Sequence, residues 1–146
     1  MISRHFSYQE LTKTSVSEKN EPNSYQLENI TKLAIFILEP IREKFGAVKI
    51  NSCFRSGVVN RSVGGSFTSQ HLANSGAAAD IGSVENATLL EVYSWIKSNL
   101  NYDQLIIEGV RSFDKPENMK WLHVSFDSTN NRKENLIMCN GKYKKI

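Results

Sequence analysis

The longest regular hydrophobic pattern in the chain lies between Ser24 and Gly46. Its apolar positions recur every three or four residues, which is the period of one buried helix face: Leu27, Ile30, Leu33, Ala34, Ile37, Leu38 and Ile41. The pattern predicts a long amphipathic helix that ends at Gly46, and Pro40 predicts a bend in its last turns. A similar pattern predicts a second helix over 86–100. Its inward face would comprise Leu89, Leu90, Val92, Tyr93 and Ile96.

A capping-box pattern, Ser7-x-x-Glu10, predicts a further short helix through Leu11. Segments with the alternating or β-branched composition of strands are 48–54, 77–81, 103–108, 121–126 and 136–139. Asn140-Gly141 predicts a hairpin turn leading into Tyr143. The order of these elements predicts an α+β fold, with helices packed on a small, mainly antiparallel sheet.

Residues 57–76 have the composition of a long loop, because glycine, serine and asparagine recur throughout the segment. Loops of this length inside a compact domain are usually functional or disordered. Since the segment ends in Ser69-Gln70-His71 and Gly76, we expect it to contribute to a functional site.

Composition narrows the function classes. A chain of 146 residues predicts one domain over 1–146, and 40% hydrophobic with 23% charged residues is ordinary for a globular protein. The net charge of +3 does not imply nucleic acid but favours approach to an anionic polymer such as a bacterial cell wall. No apolar run approaches the roughly 20 residues that cross a bilayer, and the first residues lack the apolar core of a secretory signal. We expect a monomer made in the cytoplasm, with no nucleic-acid or membrane partner.

Two of the three histidines flank a carboxylate. His71 lies in the loop, Asp80 follows three small residues of a predicted strand, and His123 alternates with Leu122 and Val124 and so faces away from them. An unpaired buried carboxylate is costly, which favours pairing or metal coordination at Asp80. Two imidazoles and one carboxylate form the three-ligand, open set typical of catalytic zinc, whose bound water has a pKa of about 7. The alternative is that Asp80 caps a loop or pairs with Arg55 and that both histidines are structural.

Eight short motifs occur in a characteristic order: Phe6–Leu11, Leu38–Arg42, Asn51–Ser56, Val63–Ser66, Ser69–His71, Gly76–Asp80, Asp103–Ile106 with Glu108, and Trp121–Ser125. The ordered set resembles the zinc D-alanyl-D-alanine carboxypeptidase family, in the branch rich in phage-encoded and bacterial cell-wall peptidases. The resemblance runs from about Phe6 to Phe126. It implies the zinc peptidase fold that DD-peptidases share with hedgehog-like domains.

The resemblance also implies site residues. The zinc (Zn²⁺) ligands of the family match His71, Asp80 and His123. Arg55 matches an arginine that faces substrate and stabilises negative charge, a role suited to a permanently charged guanidinium. Ser69 matches a serine beside the first ligand, where it would hydrogen-bond within the substrate site or simply cap the loop.

The chain departs from the family pattern at three places. Several relatives carry an acidic residue three positions before the last histidine, but this chain has Lys120 there, so the predicted general base is Glu108, with Asp103 the weaker choice. Eight residues rather than the usual six separate His71 from Asp80, and we expect 72–75 to bulge away from the metal.

The third departure is Cys53, which replaces a common glycine and predicts a thiol in the cleft. As a fourth ligand that thiol would close the site, although two buried free thiols, Cys53 and Cys139, are the simpler expectation.

The predicted function is zinc-dependent hydrolysis of amide bonds in peptidoglycan peptides that contain D-amino acids, in phage lysis or cell-wall remodelling. A carboxypeptidase or an endopeptidase would both fit. The alternative is a protein that keeps the scaffold without catalysis, either a peptidoglycan-binding module or a structural component of a virion. Lys120 and the longer ligand spacing are the features that favour this alternative.

Overall fold

A six-stranded sheet forms the centre of the protein, and the computed structural model describes it together with the whole chain, 1–146. The strands are β1 Val48–Ser52, β2 Ala77–Val84, β3 Gln104–Glu108, β4 Trp121–Phe126, β5 Glu134–Cys139 and β6 Lys142–Lys145. Their order across the sheet is β1-β2-β4-β3-β5-β6, and every neighbouring pair is antiparallel except β3 and β5. The predicted α+β class and the hairpin at Asn140-Gly141 are confirmed.

The helices are α1 Tyr8–Thr12, α2 Ser24–Leu33, α3 Glu39–Phe45, α4 Gly57–Ser62 and α5 Leu89–Asn99. Two short 3₁₀ turns, Gln70–Leu72 and Pro116–Asn118, lie in the connections. Helices α2 and α5 both pack against strands β2 and β4. No helix combines the length and the apolar character needed to cross a bilayer.

The predicted helix from Ser24 to Gly46 is one continuous helical run, with a π-helical segment, Ala34–Leu38, between α2 and α3. In this wider turn the Glu39 N–H donates to the Ala34 carbonyl, five residues back. Pro40 explains the position of the segment, because proline offers no N–H to the carbonyl four residues earlier and its ring crowds that turn. The predicted irregularity is therefore present, but it lies just before the proline rather than after it.

The prediction of an unbroken loop over 57–76 is wrong at its start, where α4 forms. Ser56 caps this helix, since its hydroxyl accepts from the Val59 N–H, and Val59 is buried. Other boundaries differ by a few residues. Strand β2 continues to Val84, and α5 begins only after Thr88, which forms a capping box with Glu91.

One face of the sheet carries the hydrophobic core. Alternate residues of β2, β3 and β4 are fully buried on this face, among them Ala79, Ile81, Leu105, Leu122 and Val124. Cys53 and Cys139 are both buried free thiols within this core, as the simpler expectation has it. The opposite face carries the polar side chains. Because side chains alternate along each strand, the residues that pack in the core and the polar residues lie on different faces of the sheet.

The segment between β4 and β5 is fastened to β3 by Asp103. The Asp103 carboxylate accepts from Arg132 Nε at 2.8 Å, Arg132 Nη2 at 2.9 Å and Gln70 Nε2 at 2.8 Å. The Asp103 side chain is only 3% exposed, whereas Arg132 is half-exposed. Burial raises the pKa of Asp103, but the hydrogen bonds from Arg132 and Gln70 outweigh it and hold this pKa below its ordinary value. Asp103 therefore belongs to a structural hydrogen-bond network that includes Gln70, the residue before His71.

Substituting Asp103 by asparagine should lower the free energy of unfolding by about 2 to 3 kcal/mol at pH 7, because it removes charged hydrogen bonds in a buried position. The pKa of Asp103 is depressed on folding, so its contribution is present above the ordinary pKa of 3.8 and is lost as the pH falls through the folded-state value. Urea denaturation should therefore show the difference between parent and Asp103→Asn shrinking at acidic pH. The exposed Asp114 provides the control, and an equal loss in Asp114→Asn would contradict this account.

Candidate metal centre and catalytic cleft

The side chains of His71, Asp80 and His123 converge at one point on the polar face of the sheet. His71 Nε2 lies 3.3 Å from Asp80 Oδ2, and His123 Nδ1 lies 3.0 Å from Asp80 Oδ1. Their ligand atoms all lie within 4.8 Å of one another. The 3₁₀ turn supplies His71, and the antiparallel register sets Asp80 directly opposite His123.

These separations suit ligands of a single zinc ion. Zinc binds nitrogen and oxygen at about 2.0 to 2.2 Å, which places two ligands of a tetrahedral site about 3.4 Å apart. The donor set is two nitrogens and one carboxylate, which leaves one position open for water or substrate. The three residues therefore fit the zinc that their chemistry implies.

The His71 ring is oriented by the main chain. Its Nδ1–H donates to the Cys53 carbonyl at 2.6 Å, which fixes the tautomer and leaves the lone pair of Nε2 directed at Asp80. Burial lowers the pKa of His71, and the hydrogen bond and charge of Asp80 only partly oppose this. The net lowering of this pKa favours the neutral imidazole, the form that binds a metal.

Asp80 is ionised although its side chain is only 15% exposed. Burial raises its pKa, but the hydrogen bond with His123 and the interaction with the nearby His71 ring outweigh that penalty and hold the pKa well below its ordinary value. The alternative pairing of Asp80 with Arg55 is not what the structure shows, since the contacts of Asp80 are to the two histidines.

The two extra residues between His71 and Asp80 do not separate them. Asn74 and Ser75 are exposed and form the predicted bulge, whereas Leu72 and Ala73 are buried, so the prediction for these two is wrong. Ala73 adopts a left-handed conformation with φ 58°, and its carbonyl accepts from the buried Asn29 amide at 2.9 Å. Helix α2 thus holds the inner half of the loop while the outer half projects into solvent.

The prediction of a thiol in the cleft is wrong. The Cys53 side chain is 2% exposed and belongs to the hydrophobic core, and burial raises the pKa of its thiol. Strand β1 has ended one residue earlier, and the backbone then presents the carbonyl of Cys53, rather than its sulfur, to His71. Cys53 is accordingly absent from the group of metal-ligating side chains.

Arg55 lies in the cleft wall beside the cluster. Its backbone N–H donates to the His71 carbonyl at 2.8 Å, while its Nε is buried and has no hydrogen-bond partner. Burial lowers the pKa of this guanidinium, and the charges of Asp80 and Glu108 raise it. The two Nη atoms also lack a partner within the protein but are not buried, so they remain accessible to a ligand carboxylate or carbonyl.

Ser69 also lies in the cleft wall, but its hydroxyl accepts from the His71 N–H at 3.3 Å and caps the 3₁₀ turn. The capping alternative therefore describes the contact that the serine makes. Substrate binding by Ser69 stays a prediction.

Glu108 is on the same face of the sheet as His123. Strands β3 and β4 pair as predicted, with Ile106 opposite His123 and Glu108 opposite Trp121. The Trp121 indole N–H donates to Glu108 Oε2 at 2.6 Å. Burial is the largest influence on Glu108 and raises its pKa, with the Asp80 charge acting in the same direction. Lys120, by contrast, is exposed and takes no part in the cleft.

The cleft around these residues has a volume of about 920 Å³ and mainly polar walls. Sequence reasoning missed three of its features: the indole of Trp121 as the partner of Glu108, the bond from Gln70 to Asp103, and the presence of Tyr143 in the wall. In the sequence, Gln70 and Trp121 stand out only as parts of motifs, and Tyr143 only as a residue that follows a hairpin turn. No pattern within one segment could link these partners, because each comes from a different strand or loop.

Comparison with known proteins adds the family. None of the curated protein sequences matches the chain significantly. A family model described as peptidase M15 matches residues 4–124, most of the chain, and this range includes His71, Asp80, His123, Arg55 and Glu108. Members of this family are zinc-dependent, in agreement with the ligand set. The protein belongs to the peptidase M15 family, the zinc D-alanyl-D-alanine carboxypeptidases.

Proposed function

We propose that this peptidase hydrolyses amide bonds in the peptide part of peptidoglycan, using one zinc ion held by His71, Asp80 and His123. The observation that carries the proposal is the convergence of these three side chains at the floor of a large polar cleft. The order of motifs in the chain, which resembles that of cell-wall peptidases, supports the choice of substrate. Release of a terminal D-alanine and cleavage within a stem or cross-link both fall within the proposal.

Zinc bound at this cluster would polarise a carbonyl and lower the pKa of water. The residues of the chain have separate tasks around it. Glu108 accepts the proton of the attacking water and returns it to the leaving amine. Its hydrogen bond from Trp121 occupies one carboxylate oxygen and leaves the other to exchange protons. The raised pKa of Glu108 brings it closer to that of a group that can both take and give a proton near neutrality.

Arg55 binds the negatively charged part of the substrate. Its two Nη atoms are not buried and make no hydrogen bond or ion pair within the protein, so they are available to a ligand. A peptide terminus or the oxygen of the scissile carbonyl would accept hydrogen bonds from them. This arrangement suits a substrate with free carboxylates, as peptidoglycan stem peptides have.

A function in phage lysis or in cell-wall remodelling follows from the same substrate. The rival proposal of a non-catalytic binding or virion protein depended on Lys120 and on the longer loop. Lys120 lies outside the cleft, and the loop leaves His71 and Asp80 3.3 Å apart. The features that favoured the rival therefore do not disturb the site.

The zinc content of the purified protein tests whether the three clustered side chains bind a metal ion. The parent protein should bind one zinc per chain, measured by elemental analysis after dialysis, and His123→Ala should weaken zinc binding by at least about 100-fold. The third histidine provides a matched control, because His5 pairs with Glu39 at 2.7 Å, away from the cleft. His5→Ala should keep its zinc. A folded parent without metal, or equal losses in both variants, would contradict the ligand assignment.

Replacing Glu108 by glutamine should reduce hydrolysis of purified peptidoglycan by about 100-fold or more, while zinc stays stoichiometric. The amide keeps the shape of the side chain but cannot accept the proton. Newly released amino groups provide the assay.

Two further variants serve as controls in that assay. Glu43→Gln changes an exposed glutamate on α3 and should leave activity unchanged. Asp103→Asn, measured well below its melting temperature, should retain activity because Asp103 is held by Arg132. Full activity in Glu108→Gln together with its loss in Asp103→Asn would show that the base has been misassigned.

A further inference from the structure

The C-terminal hairpin of β5 and β6 lies beyond the part of the chain that the family model matches, 4–124. It nevertheless reaches the cleft, because Tyr143 on β6 is one of the lining residues. No other residue of β5 or β6 lines the cleft. The hairpin therefore contributes a single side chain to the site.

The register of the sheet accounts for this position. Ile107 on β3 pairs with Ile137 on β5, so the next residues, Glu108 and Met138, are neighbours, and Met138 pairs with Tyr143 on β6. Glu108 and Tyr143 consequently belong to one row across the polar face, two strand spacings or about 10 Å apart at the backbone. Tyrosine is long enough to extend over Met138 towards Glu108.

The charges around the phenol agree with that direction. Burial raises the pKa of Tyr143, and the carboxylates of Glu108 and Asp80 raise it further, although the residue as a whole is 58% exposed. The phenol is therefore protonated at neutral pH and can donate a hydrogen bond. Asp80 is ionised and can only accept, and the indole N–H of Trp121 is already bonded to Glu108. Tyr143 is the remaining donor at this end of the row.

We propose that Tyr143 is a further catalytic residue, whose hydroxyl donates a hydrogen bond to the oxygen of the scissile carbonyl as that oxygen gains negative charge. The inference rests on the proposed peptidase function. It assigns the substrate two protein donors on opposite sides of the metal cluster, Arg55 from the loop after β1 and Tyr143 from β6. A donor that acts mainly on the developing charge raises the rate without tightening substrate binding.

Tyr143→Phe tests the proposal because it removes only the hydroxyl and keeps the aromatic ring on the strand position opposite Met138. With a soluble synthetic stem peptide, kcat should fall about 10- to 100-fold and KM should change by less than about twofold. Zinc content and melting temperature should match the parent. Tyr25→Phe is the matched control, since Tyr25 is similarly exposed on α2 and lies outside the cleft.

A second measurement does not depend on turnover. A stem-peptide analogue with a phosphinate in place of the bond that the parent cleaves resembles the charged, tetrahedral stage of hydrolysis, so calorimetry should show its affinity falling in Tyr143→Phe by a factor similar to the loss in kcat. Parent-like kcat and phosphinate affinity in Tyr143→Phe would overturn the inference and leave the peptidase proposal standing. A rise in KM alone, or a loss of zinc, would also overturn it. A parent that neither cleaves the peptide nor binds the phosphinate would overturn both proposals.

Discussion

An ionised carboxylate is buried between two imidazoles where strands β2 and β4 pair, and the rest of the site depends on this arrangement. An isolated charge in that position would cost several kcal/mol. The hydrogen bond with His123 and the close approach of His71 offset the cost and keep Asp80 ionised. Both histidines must therefore be held accurately, and the main chain provides this: the Cys53 carbonyl orients one ring, and the strand register orients the other.

The sheet keeps the demands of stability and of chemistry apart. Its inner face carries the buried apolar residues of β2, β3 and β4 and is covered by α2 and α5. Its outer face carries Asp80, His123, Glu108 and, at its edge, Tyr143. Because side chains alternate strictly between the two faces, a buried residue such as Leu122 and a ligand such as His123 can be adjacent in sequence without compromise.

Periodicity and local motifs were sufficient to predict most of the elements and to single out the three side chains that converge in the cleft, His71, Asp80 and His123. The three-and-four spacing after Ser24, the alternation around His123 and the Asn140-Gly141 turn each carry their information within a few residues. The helix α4 escaped prediction because glycine and serine at 56–57 resemble a loop, although Ser56 is in fact an N-cap. The direction of the Cys53 side chain could not be predicted either, because it depends on where β1 ends.

Contacts between distant segments set the limit of sequence reasoning. The bond from Trp121 to Glu108, the network of Gln70, Asp103 and Arg132, and the approach of Tyr143 all require the strand order β4-β3-β5-β6. That order includes a parallel pair between strands distant in the chain, which a mainly antiparallel expectation does not specify. Residues within one motif were easy to identify, whereas partners that the topology brings together were not.

The loop after His71 can change in length during evolution without moving the metal ligands on either side of it. Both of its ends are fixed independently, by Asn29 at Ala73 and by the pairing of β2 that starts at Ala77. The segment between them, with Asn74 and Ser75 in solvent, can vary in length without altering the positions of the flanking ligands. Insertions here are close to neutral for metal geometry, so the surface beside the cleft is free to diverge while the centre stays constant.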